Sequence, residues 1–352
     1  MLMEECLFPP SVTWGERLYV YCERVGMTSG NIRQPSVPVD SYTLGNGNGM
    51  EVVVWTYGAT LREVRVPGRD GRPENVVHRL PALADYEDRP TNAYVGVTVG
   101  RFCRNVAHGR FALDGTWHML DRNEGQHHVH GGTYGFDRLV WTATAARTEE
   151  HVSLRLAVNS PCGDQGYPGD LHARTVYRLD REHVLTIGFR ATTTAPTIVG
   201  LTNHAFWNLA GTDTRRAVDG QHLAVIADHV LEFAEGQIPV PGPPVPVAGT
   251  ALDLNRGKSI NGVRLDNFYV LDDPATCAAE LHDPTSGRHL RLTTDQRGMG
   301  VYTGDGLDPS RAGLCLQPGP WPDAPNRPDF PSSRLDPGHT YTSTMRYAFS
   351  VR

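Results

Sequence analysis

The 352-residue chain lacks most of the features by which large protein classes declare themselves. No apolar run comes near the roughly 18 to 20 residues that span a bilayer. The first residues, MLMEECLFPPSVTW, are acidic and broken by two prolines, so they offer neither the basic start nor the unbroken apolar stretch of a secretory signal. There is no N-x-S/T sequon either, and the compartment implied is the cytoplasm. Six cysteines (Cys6, Cys22, Cys103, Cys162, Cys277, Cys315) are scattered without a C-x-x-C pair, which signals neither a zinc site nor a disulfide framework. Positive charge is not in excess: 33 Lys and Arg stand against 39 Asp and Glu, a net charge of −6. Nothing electrostatic therefore draws the chain to nucleic acid or to an anionic membrane. Also missing are a G-x-S-x-G elbow, a Walker A loop, an H-E-x-x-H pair, a low-complexity tract and any repeat of solenoid or propeller length.

Turn-formers and alternation are what the chain has. Its 37 glycines and 26 prolines are nearly a fifth of all residues, against roughly 12% in average proteins, an excess that favours tight turns over long helices. The segment Val152 to Val158 alternates apolar with polar or small residues, and similar stretches recur at Glu51 to Tyr57, Arg174 to Leu179, His183 to Thr192, His289 to Thr294 and Met345 to Val351. Turn signals such as Gly45-Asn46-Gly47-Asn48-Gly49, Pro67 to Gly71 and Pro241 to Pro244 stand between strands. The expected fold is all-β, a large antiparallel β-sandwich, occupying residues 42–352. Residues 1–41 read as an N-terminal extension or tail in which Arg17 to Cys22 has strand character.

Two polar clusters stand out. Gln126 to Gly132 holds three histidines; if extended, it puts His128 and His130 on one face and His127 on the other. No Cys or second histidine pair completes a metal site, so no metal is expected, and polar strand-end residues are the plain alternative. The second cluster, Pro196 to Gly211, sets Asn203, His204 and Asn208 beside Phe206 and Trp207. Aromatic faces beside imidazole and amide groups suit a pyranose, whose C–H face packs on rings while its hydroxyls need hydrogen bonds. A structural β-corner would look the same.

In order along the chain stand Tyr57-Gly58-Ala59-Thr60, Gly100-Arg101-Phe102, His130-Gly131-Gly132 followed by Gly135-Phe136-Asp137 and Trp141, Gly166-Tyr167-Pro168-Gly169, Leu201-Thr202-Asn203-His204, Pro246 to Gly249, Asp266 to Leu271, Tyr302-Thr303-Gly304, and Pro322 to Asn326 with Phe330-Pro331. Through these motifs, from about Tyr42 to the C-terminus, the chain resembles the aldose 1-epimerase (galactose mutarotase) family. The resemblance implies a large β-sandwich and an isomerase that interconverts sugar anomers. A base takes the proton of the anomeric hydroxyl while an acid protonates the ring oxygen. It implies His204 as the acid, His130 as a second histidine near the ring oxygen, and Asp266 as a carboxylate for sugar hydroxyls. Arg101 and Asn203 lie in the matching motifs and Trp207 in the aromatic cluster beside them, all three as candidate sugar contacts. No cofactor is implied; the partner is a small carbohydrate or carbohydrate-like substrate, and the chain is a monomer or homodimer.

Three departures accompany the resemblance. The family's base is a Glu in a Cys-Leu-Glu-Thr-Gln-like segment, whereas this chain reads Cys315-Leu316-Gln317-Pro318-Gly319-Pro320, and an amide cannot accept a proton near neutral pH. Arg104-Asn105 stands where the family reads Asn then Arg, an exchange expected to turn the guanidinium away from the sugar unless a bulge restores it. Asp305 stands where Asn is usual, making it a candidate for a relocated base. Gln317, Arg104 and Asn105 remain candidate substrate contacts. Three readings follow: a mutarotase with a displaced base, a relative turned to another isomerisation, cyclisation or elimination, or a non-catalytic sugar binder. Cys103, Cys162 and Cys315, with no base beside them in the sequence, read as small buried side chains.

Overall fold

Along the strand Leu171–Asp180 side chains alternate between core and surface over nearly its whole length, as a sheet with one dry and one wet face requires. The computed structural model to which it belongs describes residues 18–214 and 216–352; the part of the expected extension at 1–17 lies outside the described residues. Nine antiparallel strands form one sheet, in the spatial order Lys258–Ser259, His222–Val225, Ala279–His282, Arg288–Thr294, Tyr341–Val351, Val184–Thr193, Leu171–Asp180, His151–Ser160 and Thr142–Arg147. A six-stranded sheet runs Phe206–Trp207, Leu314–Pro318, Gly298–Tyr302, Asp266–Val270, His229–Leu231 and Val245–Pro246. A five-stranded sheet runs in chain order from Tyr19–Met27 through Pro38–Gly45, Glu51–Trp55 and Thr60–Pro67 to Pro73–Asn75.

One core fills the space between the layers. Val52 and Leu61 of the five-stranded sheet, Leu154, Ile187 and Tyr347 of the nine-stranded sheet, and Met299 and Leu316 of the six-stranded sheet all belong to it. The helices described are a single turn or little more, Leu83–Glu87 and Arg89–Asn92 being the α-helical ones, and none is long and apolar enough to cross a membrane.

Residues 19–27, inside the expected extension, form a strand. Tyr19–Met27 pairs antiparallel with Pro38–Gly45, Tyr19 opposite Gly45 and Met27 opposite Pro38, with a bulge between Arg24 and Gly26. The connection that follows lies as a strap over two loops. Asn31 Nδ2 donates to the Arg138 carbonyl (3.1 Å), Gln34 exchanges hydrogen bonds with the Val140 backbone (3.2 and 2.7 Å), and Arg33 bonds the Tyr134 carbonyl and the Asp164 carboxylate.

Candidate active site

The floor of the site is one face of the six-stranded sheet. Gln317 lies opposite Gly300, which lies opposite Phe268; one row along, Cys315 lies opposite Tyr302, which lies opposite Asp266. Because residues two apart share a face, this register gathers Cys315, Gln317, Tyr302, Phe268 and Asp266 on one side. The walls are loops that the sandwich holds by backbone hydrogen bonds. His204 donates from its N–H to the Val97 carbonyl and accepts from Gly96 N–H, both at 2.9 Å. His130 sits in the left-handed region, φ +54°, just before Gly131 and Gly132 at +90° and +98°. A side chain at Gly131 would collide with the Gly100 carbonyl, 1.9 Å from its Cβ, so this glycine lets the histidine loop lie against residues 100–101.

The two imidazoles face each other at right angles, ring centres 5.4 Å apart. Tyr94 meets His130 edge-on at 4.6 Å and stacks along His204 at 5.9 Å, while Phe206 packs 5.0 Å from His204. Burial in this apolar collar lowers the pKa of His204 to about 3. It pushes His130 well below the usual histidine range, with His204 and Arg104 adding to the effect. Both rings are therefore neutral, and their neighbours fix which nitrogen carries the proton. His130 Nδ1 is 2.9 Å from the Cys103 carbonyl, which only accepts, so Nδ1 bears the hydrogen and Nε2 is bare. His204 Nδ1 lies 3.5 Å from Cys315 Sγ. Burial raises that thiol to about 12, so it keeps its hydrogen; given to Nδ1, that hydrogen would leave His204 Nε2 protonated.

Behind this pair runs a directed chain. Arg104 Nη1 donates to Gln317 Oε1 (2.9 Å), Gln317 Nε2 donates to Cys315 Sγ (3.2 Å), and Cys315 leads to His204. The amide is clamped from both ends. Arg104 also bonds the Gln317 carbonyl and donates from Nε to the Pro320 carbonyl (3.3 Å), and its guanidinium lies 5.1 Å over the Phe268 ring. Gly300 makes room for it: a Cβ there would sit 2.9 Å from Nη1. The exchanged pair therefore does not turn the guanidinium out of the site, as expected from the sequence; Arg104 points to the floor. Asn105 points away, donating to the Gly236 carbonyl (2.8 Å) at the rim.

Asp266 stands at the rim with one carboxylate oxygen on Gln237 Nε2 (3.1 Å), its pKa raised by burial and by nearby Asp305. A cavity of about 430 Å³ opens beside it, lined among others by Val230, Phe233, Gln237, Pro246 and Leu252.

Several expectations need correction. Asp305 accepts from Thr303 and pairs with Arg264 (3.3 Å) and Arg311 (3.4 Å), so both its oxygens are engaged in an ion-pair cluster rather than free to take a proton. Arg101 spends its guanidinium on the Ser160 hydroxyl and the carbonyls of Ser160, Pro161, Pro168 and Gly169, at 2.6 to 3.1 Å, and anchors that loop instead of a sugar. Asn203 is buried and bonded to the Gly96 carbonyl, Tyr177 and Ala205 N–H. Trp207 is wholly buried against Tyr347 (4.7 Å) and Phe349 (5.7 Å), a core residue rather than a sugar platform. His128 does not share His130's face: its nitrogens are bonded at 2.6 Å to the Asp121 carbonyl and to Tyr167. Among the described residues no group of three or more His, Cys, Asp or Glu is placed to hold a metal.

Sequence reasoning missed Tyr94, Gly300 and Gln237, and took Cys315 for packing alone. Tyr94 stands in no motif; Arg89 places it, stacking 4.5 Å over its ring while bonded at 2.8 Å to buried Asp137.

The architecture is that of galactose mutarotase-like proteins. The galactose 1-epimerase of Lactobacillus acidophilus superposes with a TM-score of 0.82 at 26% identity, covering 95% of this chain and 99% of its own. An aldose epimerase homologue from C. elegans does so at 0.79 and 28%, covering 87% and 97%. The chain belongs to the aldose 1-epimerase family, whose model matches residues 40–348, and is an isomerase of that family. It is 34% identical to the galactose mutarotase of Sus scrofa over 323 residues, 86% of this chain and 92% of the relative. It is 31% identical to the aldose 1-epimerase of Escherichia coli over 338 residues, 89% and 95%. The strand Tyr19–Met27 and its strap precede the residues that the family model matches.

Proposed function

We propose that the protein interconverts the anomers of a free pyranose with its two histidines as the acid–base pair. His130 Nε2 takes the proton of the anomeric hydroxyl as His204 Nε2–H protonates the ring oxygen. The bond from the anomeric carbon to the ring oxygen breaks, a carbonyl forms, and after rotation the ring closes on either face with both protons returned. The observation that carries this reading is the pair of neutral rings with centres 5.4 Å apart, His130 Nδ1 being held by the Cys103 carbonyl so that its Nε2 is bare. The two oxygens share one carbon, so neighbouring imidazoles can serve both, and simultaneous transfer leaves the net charge of the buried site unchanged. Asp266, with Gln237, receives ring hydroxyls at the rim; Cys315 and Gln317 hold His204 in its donor tautomer.

The experiment is anomer exchange by NMR on glucose, galactose and their uronates, for wild type beside His204→Asn. Acceleration by wild type and its loss in the variant is the expected result; a wild type that speeds no pyranose overturns the reading. The amide at Gln317, which cannot take a proton, favours as a second reading an isomerisation, cyclisation or elimination on a sugar-like compound, and that is where an inert wild type would lead.

A further inference from the structure

Arg104 is almost wholly buried, yet among the described residues no carboxylate lies within ion-pair distance of it. Its partners are neutral: the Gln317 side chain and carbonyl, the Pro320 carbonyl and the face of Phe268. Arg101 and Arg62 are likewise buried on neutral partners, Arg101 with an acceptor at every N–H and Arg62 against the Leu80 and Pro81 carbonyls and the Tyr86 hydroxyl, while three others have an acid. Arg89 is paired with Asp137, Arg33 with Asp164, and Arg311 with Asp219 and Asp305. A desolvated guanidinium without an anion is costly, and the neighbouring histidines make no contribution of negative charge. Asp266 is in electrostatic reach of Arg104, but its bond goes to Gln237. Of five guanidinium N–H groups the structure engages three, which leaves two for something else.

We propose that the missing anion belongs to the substrate: the site takes a sugar bearing a carboxylate or phosphate, and Arg104 with the Gln317 amide receives that group on the floor of the six-stranded sheet. The inference rests on the anomer-interconverting reading for the sugar ring itself. Planar, doubly donating and permanently charged, a guanidinium suits a carboxylate or phosphate better than a hydroxyl. Gly300 and Gly319 widen the floor on either side of the arginine, since a Cβ at either would lie 2.9 or 3.6 Å from its terminal nitrogens. Near neutral pH the rest of the contact set, His130, His204, Cys315 and Gln317, is uncharged, so Arg104 dominates the local charge.

Calorimetric titration of the full chain with galactose, galacturonate and galactose 6-phosphate, at low and high salt, tests this. At least one anionic sugar is expected to bind about 10-fold or more tighter than galactose, with a preference that shrinks as salt rises, and which of the two wins tells carboxylate from phosphate. Arg104→Gln should abolish the preference and Arg104→Lys should keep part of it; the salt series on the wild type decides the matter even where a variant does not fold. Galactose binding as well as both anions, no binding by any of the three, or a preference that survives Arg104→Gln overturns the inference. Anomer exchange on the same samples separates the two claims. Exchange of galactose without anion preference removes this one alone, and tight anion binding without exchange removes the anomer-interconverting reading alone.

Discussion

Arg101 and Arg104 stand three residues apart on one segment, both buried, in opposite surroundings. Arg101 meets an acceptor at every N–H it owns, all from the loop of residues 160–169. Arg104 meets three acceptors and no acid. The difference extends around each residue: Asn203 and His128 have their polar atoms engaged, whereas His130 Nε2, His204 Nε2 and Asp266 keep bonding capacity in hand. Burial does not separate Arg101, Asn203 and His128 from the site residues; unspent hydrogen-bonding capacity does.

The comparison would break first at its saturated end. Arg101→Met strands five acceptors in a buried loop and should lower unfolding stability by at least about 4 kcal/mol, read by denaturant titration; a loss under about 1 kcal/mol would mean the loop finds other donors. Acid should act next. His128, His130 and His204 are depressed by burial, to about 4, well below normal and to about 3, from an ordinary value of 6.5. Their contribution to stability is therefore complete above pH 6.5 and is lost as pH falls from there toward the folded values. With the unfolded chain taking up three extra protons, the slope approaches about 4 kcal/mol per pH unit. Urea midpoints between pH 7 and 5 measure it, and a flat profile would contradict neutral rings.

Substituting at the open end should spare the fold and touch the chemistry. His204→Asn is expected to lower kcat for anomer exchange by roughly 10² to 10⁴-fold with Tm little changed, and a modest drop would remove His204 as the acid. The smallest effect belongs to Asp305→Asn. With its oxygens held by Thr303, Arg264 and Arg311, it should cost about 1 kcal/mol of stability and little of kcat. A kcat collapse would instead restore Asp305 as a base.

Strands were legible in the sequence because period two is a local property. Val152 to Val158 lies inside His151–Ser160, and Arg174 to Leu179 inside Leu171–Asp180. The Gly45 to Gly49 run is the expected hairpin turn, with Asn46 Oδ1 accepting from the N–H groups of Asn48 and Met50. Glu51 to Tyr57 ran long by two residues, since the chain turns at Gly58 and Ala59, φ +62° and +44°. What failed was the orientation of loop side chains. Alternation predicted a shared face for His128 and His130, and the left-handed turn at His130 breaks it. Trp207 beside a histidine looked like a sugar platform because aromatic neighbours in sequence do not tell core from cleft; its pairing with Leu314 in the sheet decides. Arg104 was legible as a departure, but its direction depended on Gly300, almost two hundred residues away.

The strap of residues 28–37 has a consequence for how this sequence can drift. Arg33 grips the Tyr134 carbonyl, four residues past His130, from a segment that precedes residues 40–348 matched by the family model. A brace shared in this way ties the two segments together: substitutions in the strap and in the histidine loop must be accepted in company. A chimera that grafts the matched sandwich alone onto another protein would inherit the loop without its support.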